Sequence, residues 1–376
     1  MSVALHADAP LMEIDLDRLA GNWRTVRGRY TGVDLGAVVK CDAYGLGLEP
    51  VVATLSAQGC GQYWTLDADE ARRVRACAPE AEIFVLTGLC GASPQVFRDA
   101  RLIPVLNSLD EIARARDSGA LTVAIALDTG LGRLGLRPEA VRDLAAHGLG
   151  GLRVRAWVTQ PASFSAPEGG GGQDLYTRFL GLIEPLPQAA RSLAISASVF
   201  SRPEHHLDMA RVGSALYGVD TSPARTLPLR PVASLHAPVL RVADLPAGAG
   251  VGYDGQYRCP KPMRVATLGI GYAHGLPYAL MNRGAVRFGA HAAPIVGGVS
   301  MGLTSVDVTG LPDGLVAPGA RAEIFGGHQR LEALAAEAGL PANVVLSATA
   351  AVCRKRYHAS RPGRPVAAGA SEESLP

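Results

Sequence analysis

This chain has no clustered cysteines and no large excess of positive or negative charge. Its six cysteines, at positions 41, 60, 77, 90, 259 and 353, show no C-x-x-C spacing, so neither a zinc site nor a redox pair is predicted. They are expected to be reduced thiols. Lys and Arg number 36 against 34 Asp and Glu, and the longest basic run is Arg354-Lys355-Arg356. Nucleic acid is therefore not an expected partner.

Long hydrophobic runs are also missing. No segment approaches about 18 uninterrupted apolar residues, so no membrane-spanning helix and no membrane partner are predicted. The N-terminal residues lack a basic stretch followed by an apolar one, as a secretory leader would have. Together with the scattered cysteines, these absences predict a cytoplasmic protein.

Aromatic residues are scarce, although apolar residues are not. Aromatics make up 5% of the chain, hydrophobic residues make up 48%, and 44 residues are glycine. This composition suits close packing of helices on a sheet in an α/β protein. The length of 376 residues exceeds that of a typical single domain, so two domains are predicted.

Short apolar runs, which are typical of buried parallel strands, recur through the first part of the chain. They lie at residues 33–39, 82–86, 102–106, 121–127, 152–158 and 193–199. Helical patterns occur at residues 11–30, 68–76 and 109–115. This alternation favours a closed (β/α)8 barrel of the TIM type, with an open doubly wound sheet as the alternative.

The pattern changes near Pro223 to Pro231, where proline-punctuated, valine-rich short runs begin. We therefore expect a barrel over residues 1–230, a mainly β domain over 231–358 and a disordered tail over 359–376. The run Gly169 to Gly172 is interpreted as a flexible surface insertion. A phosphate-binding loop is the alternative, but the strand and helix that should flank one are not predicted there.

Lys40 ends the first apolar run and is the leading candidate for catalysis. The C-terminal ends of barrel strands form the active face, and a lysine in an apolar setting can form an imine with an aldehyde. A surface lysine at a strand end is the alternative. The pair His205-His206 has no evident third ligand, so no metal site is predicted.

Five segments resemble the alanine racemase family of fold type III pyridoxal-phosphate enzymes. The first, residues 37–47 (AVVKCDAYGLG), is similar to the motif that contains the cofactor lysine of that family. The others follow in the family's order: 127–135 (LDTGLGRLG), 211–218 (RVGSALYG), 252–253 with 270–275 (GY and IGYAHG), and 299–301 with 306–309 (VSM and VDVT).

The resemblance implies an isomerase, an amino-acid racemase that uses pyridoxal 5'-phosphate. Lys40 would hold the cofactor as a Schiff base and act as one acid/base group. Tyr253, from the other subunit of a homodimer, would be the second. Inversion of a stereocentre requires proton removal from one face and return to the other, which suits two groups on opposite sides of a D- or L-amino acid.

Further roles are implied for residues of the matching segments and for Ser196, which lies between two of those segments. Arg211 would face the pyridine nitrogen, where a cation disfavours protonation of the ring and limits side reactions. The other cofactor-binding residues, which would hold the phosphate through hydroxyls and backbone N–H groups, are Tyr44, Ser196, Gly213 and Ser214. The residues placed on the substrate side are Arg133, Met301 and Tyr272.

Several positions depart from the family pattern, mostly by losing charge or bulk. They are Gln160 for a histidine, Ile195 for an asparagine, His274 and Gly302 for aspartates, Ala126 for a modified lysine and Ala351 for a phosphate-contacting tyrosine. Loss of bulk would enlarge the substrate pocket, so a substrate other than L-alanine is expected.

Two alternative functions keep the cofactor. One is a different reaction on the same fold, such as a decarboxylase or aldolase. The other is a non-catalytic homologue that binds pyridoxal phosphate. Tyr253 weighs against the former, and the second domain weighs against the latter.

Overall fold

The computed structural model describes residues 9–161, 175–222 and 226–359. The glycine run at 169–172 and the predicted tail from residue 360 onward lie outside the described residues.

The first described element is a strand where the sequence pattern predicts a helix. Residues 11–30 divide into strand β1 (Leu11–Asp15) and helix α1 (Leu16–Arg29). Asp15 ends the strand and caps the helix, because its side chain accepts the N–H of Arg18 at 2.9 Å. The predicted helix is therefore wrong over its first five residues, and β1 joins the sheet of the second unit rather than the barrel.

Eight parallel strands close into a barrel, which confirms the predicted fold and excludes the open sheet. The strands are β2 (Asp34–Val38), β3 (Gln62–Thr65), β4 (Glu82–Val85), β5 (Ile103–Leu106), β6 (Thr122–Leu127), β7 (Arg153–Thr159), β8 (Ala190–Ile195) and β9 (Met209–Val212). The barrel closes where β9 pairs with β2. β3 and β9 have no counterpart among the six apolar runs, and β8 begins and ends earlier than predicted.

Helical segments connect the strands and cover the barrel. They are α2 (Lys40–Tyr44), α3 (Leu48–Ala57), α4 (Ala68–Cys77), α5 (Pro94–Asp99), α6 (Leu109–Asp117), α7 (Pro138–His147), α8 (Leu175–Ile183) and α9 (Ser196–Ser201). Side chains cap several of them: Asp67 caps α4, Ser93 caps α5 and Ser108 caps α6. These local signals explain why α4 and α6 agree closely with the predicted helices.

The second unit is mainly β, as predicted. Its strands are β10 (Ala233–Leu245), β11 (Gly250–Val251), β12 (Tyr257–Arg258), β13 (Met263–Leu268), β14 (Ala285–Phe288), β15 (His291–Pro294), β16 (Thr304–Asp307), β17 (Arg321–Phe325) and β18 (Arg354–His358). Its described residues also form two α-helices, α10 (Leu331–Glu337) and α11 (Ala342–Val352), and three 3-10 helices, Tyr253–Gly255, Tyr272–His274 and Tyr278–Leu280. β1 pairs with both β10 and β18, so the two ends of the described chain meet in this sheet.

The interior of the barrel is filled by side chains rather than open. Trp64 and Phe84 stack with ring centroids 4.0 Å apart at an interplanar angle of 7°. A Cβ on Gly36 would lie 2.4 Å from the indole nitrogen of Trp64, so only glycine fits at that position. The packed interior forms the floor beneath the C-terminal ends of the strands.

Within the part of the chain that the structure describes, no single helix is long and apolar enough to cross a membrane. α10 and α11, bent by 105° at their junction, have the length and composition of a span only when taken together.

Candidate active site

Lys40 follows β2 and opens a left-handed turn. Cys41, Asp42 and Ala43 each have φ of 55°, and Tyr44 has φ of 60°. Left-handed conformations cost a non-glycine residue about 1–2 kcal/mol each, so four in succession require support from their surroundings. The turn places Lys40 and Tyr44 on the same cavity.

Side chains of α4 and the backbone at the start of α3 hold this turn in place. Glu70 accepts the N–H of Asp42 at 2.8 Å. Asp42 accepts the N–H of Leu48 at 3.1 Å and a hydrogen bond from Arg73 at 2.8 Å. These contacts fix the backbone immediately after Lys40 and provide the support that a left-handed turn needs.

A cavity of about 520 Å³ lies at the C-terminal ends of the strands and contains Lys40. Three cations line it, Lys40, Arg133 and Arg211, and no Asp or Glu is among the described residues around it. Burial, followed by the nearby Arg133, lowers the pKa of Lys40. A lowered pKa increases the neutral, nucleophilic fraction of the amine near neutral pH.

Arg211 is held at the floor of the cavity by neutral groups. It is 5% exposed, and it donates to Ser192 Oγ at 3.0 Å, to Gln160 Oε1 at 3.2 Å and to the carbonyl oxygen of Thr159. Its guanidinium lies 5.6 Å from the ring centroid of Trp64. Burial lowers the pKa of Arg211 to about 10, so it remains charged at neutral pH.

Hydroxyl donors gather on one side of the same cavity. Ser196 Oγ accepts the N–H groups of Gly213 at 3.0 Å and of Ala215 at 3.2 Å, so its own hydrogen is left to donate. The N–H of Gly213, expected to contact a phosphate, is thus already bonded to Ser196. Burial raises the pKa of Tyr44 to about 12, which keeps its phenol protonated beside Ser214.

Gly213 is required by the close approach of Tyr44. A Cβ at this position would lie 2.3 Å from the Tyr44 hydroxyl, so any side chain would displace the tyrosine.

The cavity as a whole combines protonated hydroxyls and three cations, and no carboxylate is among its described residues. That chemistry fits a ligand with a phosphate and an aldehyde, such as pyridoxal phosphate.

Three predicted site residues lie away from this cavity, on the surface of the second unit. Tyr253 is 75% exposed, Tyr272 is 48% exposed and Met301 is 63% exposed. The segments that contain Tyr272 and Met301 are hydrogen-bonded to each other, because the N–H of Ala273 donates to the carbonyl oxygen of Met301 at 2.9 Å. The structure thus separates the predicted residues into a cavity group and a surface group.

The departures from the family pattern divide in the same way. Gln160, Ile195 and Ala126 line the cavity. His274 and Gly302 lie on the second unit, where a Cβ on Gly302 would be 3.9 Å from His274 Cε1. The two lost aspartates are therefore neighbours on the surface that carries the exposed tyrosine and methionine.

Ala351, expected to enlarge the pocket, does not line the cavity of its own chain. Its side chain is exposed, and only its backbone approaches the Lys40 turn, where a Cβ on Gly45 would lie 2.9 Å from its nitrogen. Asn343, from the start of α11, lines the cavity instead, as does Asn107 from the loop after β5. Neither asparagine stands in an apolar run or a matching segment, so the sequence carried no signal for them.

Comparison with known proteins identifies both units. The family model described as alanine racemase, N-terminal domain, matches residues 14–221. The model described as alanine racemase, C-terminal domain, matches residues 232–357. Together they cover nearly all of the described chain.

Relatives and solved structures agree with this match. A protein named alanine racemase from Acidiphilium cryptum is 38% identical over 336 residues, 88% of this chain and 93% of the relative. One named alanine racemase, catabolic, from Rhizobium johnstonii is 39% identical over 346 residues, 90% of this chain and 92% of the relative. The crystal structure of alanine racemase from Bartonella henselae with covalently bound pyridoxal phosphate has a TM-score of 0.88 at 28% identity and covers 93% of this chain and 99% of its own. This chain belongs to the alanine racemase family.

Proposed function

We propose that this protein is a pyridoxal-phosphate-dependent amino-acid racemase in which Lys40 and the partner subunit's Tyr253 exchange protons with the substrate. The observation that carries the proposal is the cavity itself: a lysine of lowered pKa, two arginines and no described carboxylate, within a chain of the alanine racemase family.

The residues around the cavity suit the cofactor at both of its ends. When bound, pyridoxal phosphate withdraws electrons from the attached amino acid and makes the hydrogen on its α-carbon acidic. Ser196 and Tyr44 would donate to the phosphate, and Lys40 would hold the aldehyde carbon. Arg211 would face the ring nitrogen, and its fixed charge would disfavour protonation there.

Two proton-transfer groups are needed because racemisation inverts the α-carbon. Lys40 takes or returns the proton on one face, and the partner subunit's Tyr253 does so on the other. Lys40 suits this role because burial and Arg133 lower its pKa, so that its neutral form can accept a proton near neutral pH. Arg133 would hold the carboxylate of the substrate while the proton moves.

The positions of these groups support a homodimer. Tyr253 is 75% exposed on the second unit and does not line the cavity of its own chain. Tyr272 and Met301 are also exposed on that unit. Packing of this surface over the cavity of a second copy would cover the exposed side chains and complete both sites.

The substrate is an amino acid, and its side chain would be accommodated by neutral groups. Ala126 and Ile195 add neither charge nor a hydrogen-bonding side chain to the cavity. We therefore expect neutral amino acids to be preferred over acidic or basic ones. The six cysteines are free, which supports a cytoplasmic location for the enzyme.

The alternative functions are not favoured. Relatives named alanine racemase match at 33–39% identity across most of the chain, including the second domain. A decarboxylase or aldolase has no need of a proton donor on the second face. A non-catalytic homologue that binds the cofactor has no use for the second domain.

The test is exchange of the α-hydrogen in deuterated water, followed by NMR and chiral chromatography with the cofactor-loaded protein and a panel of L- and D-amino acids. Exchange with inversion supports the racemase and identifies its preferred substrate. Exchange without inversion, or loss of carbon dioxide from the substrate, would contradict the proposal.

A further inference from the structure

Asn343 is a cavity residue with an unsatisfied polar atom. It lies in the first turn of α11, and its Nδ2 is 3.4 Å from Ser214 Oγ. Its Oδ1 is buried and has no hydrogen-bond partner among the described residues. Leaving a buried carbonyl oxygen unpaired costs about 1–3 kcal/mol, so tertiary packing, and not its own hydrogen bonds, holds this side chain in place.

The amide nitrogen of Asn343 carries two hydrogens, and Ser214 Oγ, 3.4 Å away, can accept only one of them. The other is available to a ligand in the cavity, which Asn343 lines. The cavity holds three cations and no described carboxylate, so an anionic ligand oxygen is the acceptor that suits this donor best.

The helix that carries Asn343 is fixed against the Lys40 turn, so the amide cannot easily turn away. A Cβ on Gly45 would lie 2.9 Å from Ala350 Cβ, and a Cβ on Gly275 would lie 2.5 Å from the carbonyl carbon of Ala348. Both glycines have positive φ, at 82° and 80°. These close approaches hold α11 on the active face of the barrel.

The neighbours of Asn343 indicate which anion it meets. Ser214 lies beside the Tyr44 hydroxyl, and Ser196 is bonded to the N–H of Gly213. These hydroxyls are the donors that we assign to the phosphate. Asn343 therefore adds a donor to the same cluster from the second unit.

We propose that the side chain of Asn343 donates a hydrogen bond to the phosphate group of pyridoxal phosphate, next to Ser214. This inference rests on the proposed function, because it places the cofactor in this cavity. Through Asn343 the bound phosphate links α11 of the second unit to the loop after β9 of the barrel. The cofactor thus stabilises the packing of the two units as well as serving the reaction.

The test compares the affinities of the full-length protein for pyridoxal phosphate and for pyridoxal, which lacks the phosphate. Asn343→Asp keeps the shape of the side chain but replaces the donor with a carboxylate, and Asn343→Ala removes it. Ala348→Asp, an exposed position on the same helix, is the matched control for added charge. Affinities are measured from the absorbance of the lysine-bound cofactor, with the thermal midpoint of each variant recorded.

We expect Asn343→Ala to weaken pyridoxal phosphate binding about tenfold, since a hydrogen bond to a charged group is lost. Asn343→Asp should weaken it about 100-fold, because its carboxylate also repels the phosphate. Pyridoxal binding should stay unchanged in both variants, and Ala348→Asp should change neither affinity.

Equal losses for the two ligands, or no loss for either, would overturn the inference. The inference would also be overturned if the variants kept the ratio of their affinities for pyridoxal phosphate and pyridoxal but had a raised KM for the amino acid. That result would assign Asn343 to the substrate carboxylate. If the unmodified protein binds no pyridoxal phosphate at all, the proposed function fails instead.

Discussion

The two ends of the barrel use arginine in opposite ways. Where the strands begin, Arg155 contacts Asp34 at 2.6 Å and Glu82 at 2.7 Å, and Arg191 contacts Asp208 at 2.8 Å. Each of these arginines has a carboxylate partner within the protein. Such pairs contribute to stability and leave little positive field for a ligand.

Where the strands finish, the cations that line the cavity have no carboxylate partner among the described residues. Lys40, Arg133 and Arg211 line one cavity without a described carboxylate, and Arg211 is held by neutral acceptors. Three positive charges around one cavity repel one another, and a bound anion would offset this repulsion. The contrast indicates that one end is built for stability and the other for a phosphate and a carboxylate.

The largest expected effect comes from removing the lysine at the active end. Lys40→Ala should abolish cofactor attachment and lower racemisation by at least about 10⁴-fold, because in the proposed mechanism this one residue both holds the cofactor and moves a proton. Absorbance and mass spectrometry after borohydride reduction measure attachment. Lys261→Ala, at an exposed lysine of the second unit, should behave as the unmodified protein does. Retained attachment in Lys40→Ala would place the site elsewhere.

Removal of the second proton-transfer group should slow the reaction without releasing the cofactor. Tyr253→Phe should leave the absorbance of the bound cofactor unchanged and slow α-hydrogen removal from one enantiomer by about 10²- to 10⁴-fold. Isotope exchange started from each enantiomer measures this asymmetry. Tyr278→Phe, at another exposed tyrosine, is the matched control. Equal slowing from both enantiomers would count against the two-base assignment.

A smaller effect is expected from reducing the positive charge around Lys40. Burial and Arg133 lower the pKa of Lys40, so Arg133→Gln should raise that pKa part of the way back. Only the neutral amine attacks an aldehyde, so the midpoint of cofactor attachment should move to higher pH and attachment near neutral pH should slow severalfold. The pH dependence of the attachment rate tests this. Arg137→Gln, at an exposed residue outside the cavity lining, should leave the midpoint in place.

The smallest effect on catalysis is expected at the opposite end. Arg155→Met leaves Asp34 and Glu82 without their cation. It should lower the free energy of unfolding by about 1–2 kcal/mol, because all three side chains are only partly exposed. Racemisation should be unchanged. Chemical denaturation and steady-state rates measure the two quantities. If Arg155→Met lost activity but kept its full stability, the two ends of the barrel would not have separate roles in stability and catalysis.

The sequence predicts the barrel well where strands are apolar and helices have side-chain caps. It misses β3 and β9, because Gln62 and Arg211 place polar side chains inside strands of only four residues. It also misses β1, since apolar and charged residues alternate there in a way that fits a helix as well as a strand. Pairing with β10 and β18, far away in the sequence, decides the outcome.

The site is predictable only where its residues lie in recognisable segments. The cavity contains Lys40 and Arg211 as expected, because both lie at or near the ends of barrel strands. Asn343 could not be found in this way, since it enters from a helix of the second unit through tertiary packing alone. The hydrogen bond from the N–H of Gly213 to Ser196 could not be predicted either, because no local sequence pattern specifies where Ser196 lies relative to Gly213.

The central claim, that each site combines Lys40 of one subunit with Tyr253 of the other, is tested most directly by mixing two inactive variants. Lys40→Ala and Tyr253→Phe subunits are unfolded together, refolded and assayed. If the site is shared, each mixed dimer has one intact site, and the mixture should recover about a quarter of the unmodified activity. If both residues act within one chain, every site carries a defect and the mixture should stay inactive, which would contradict the account.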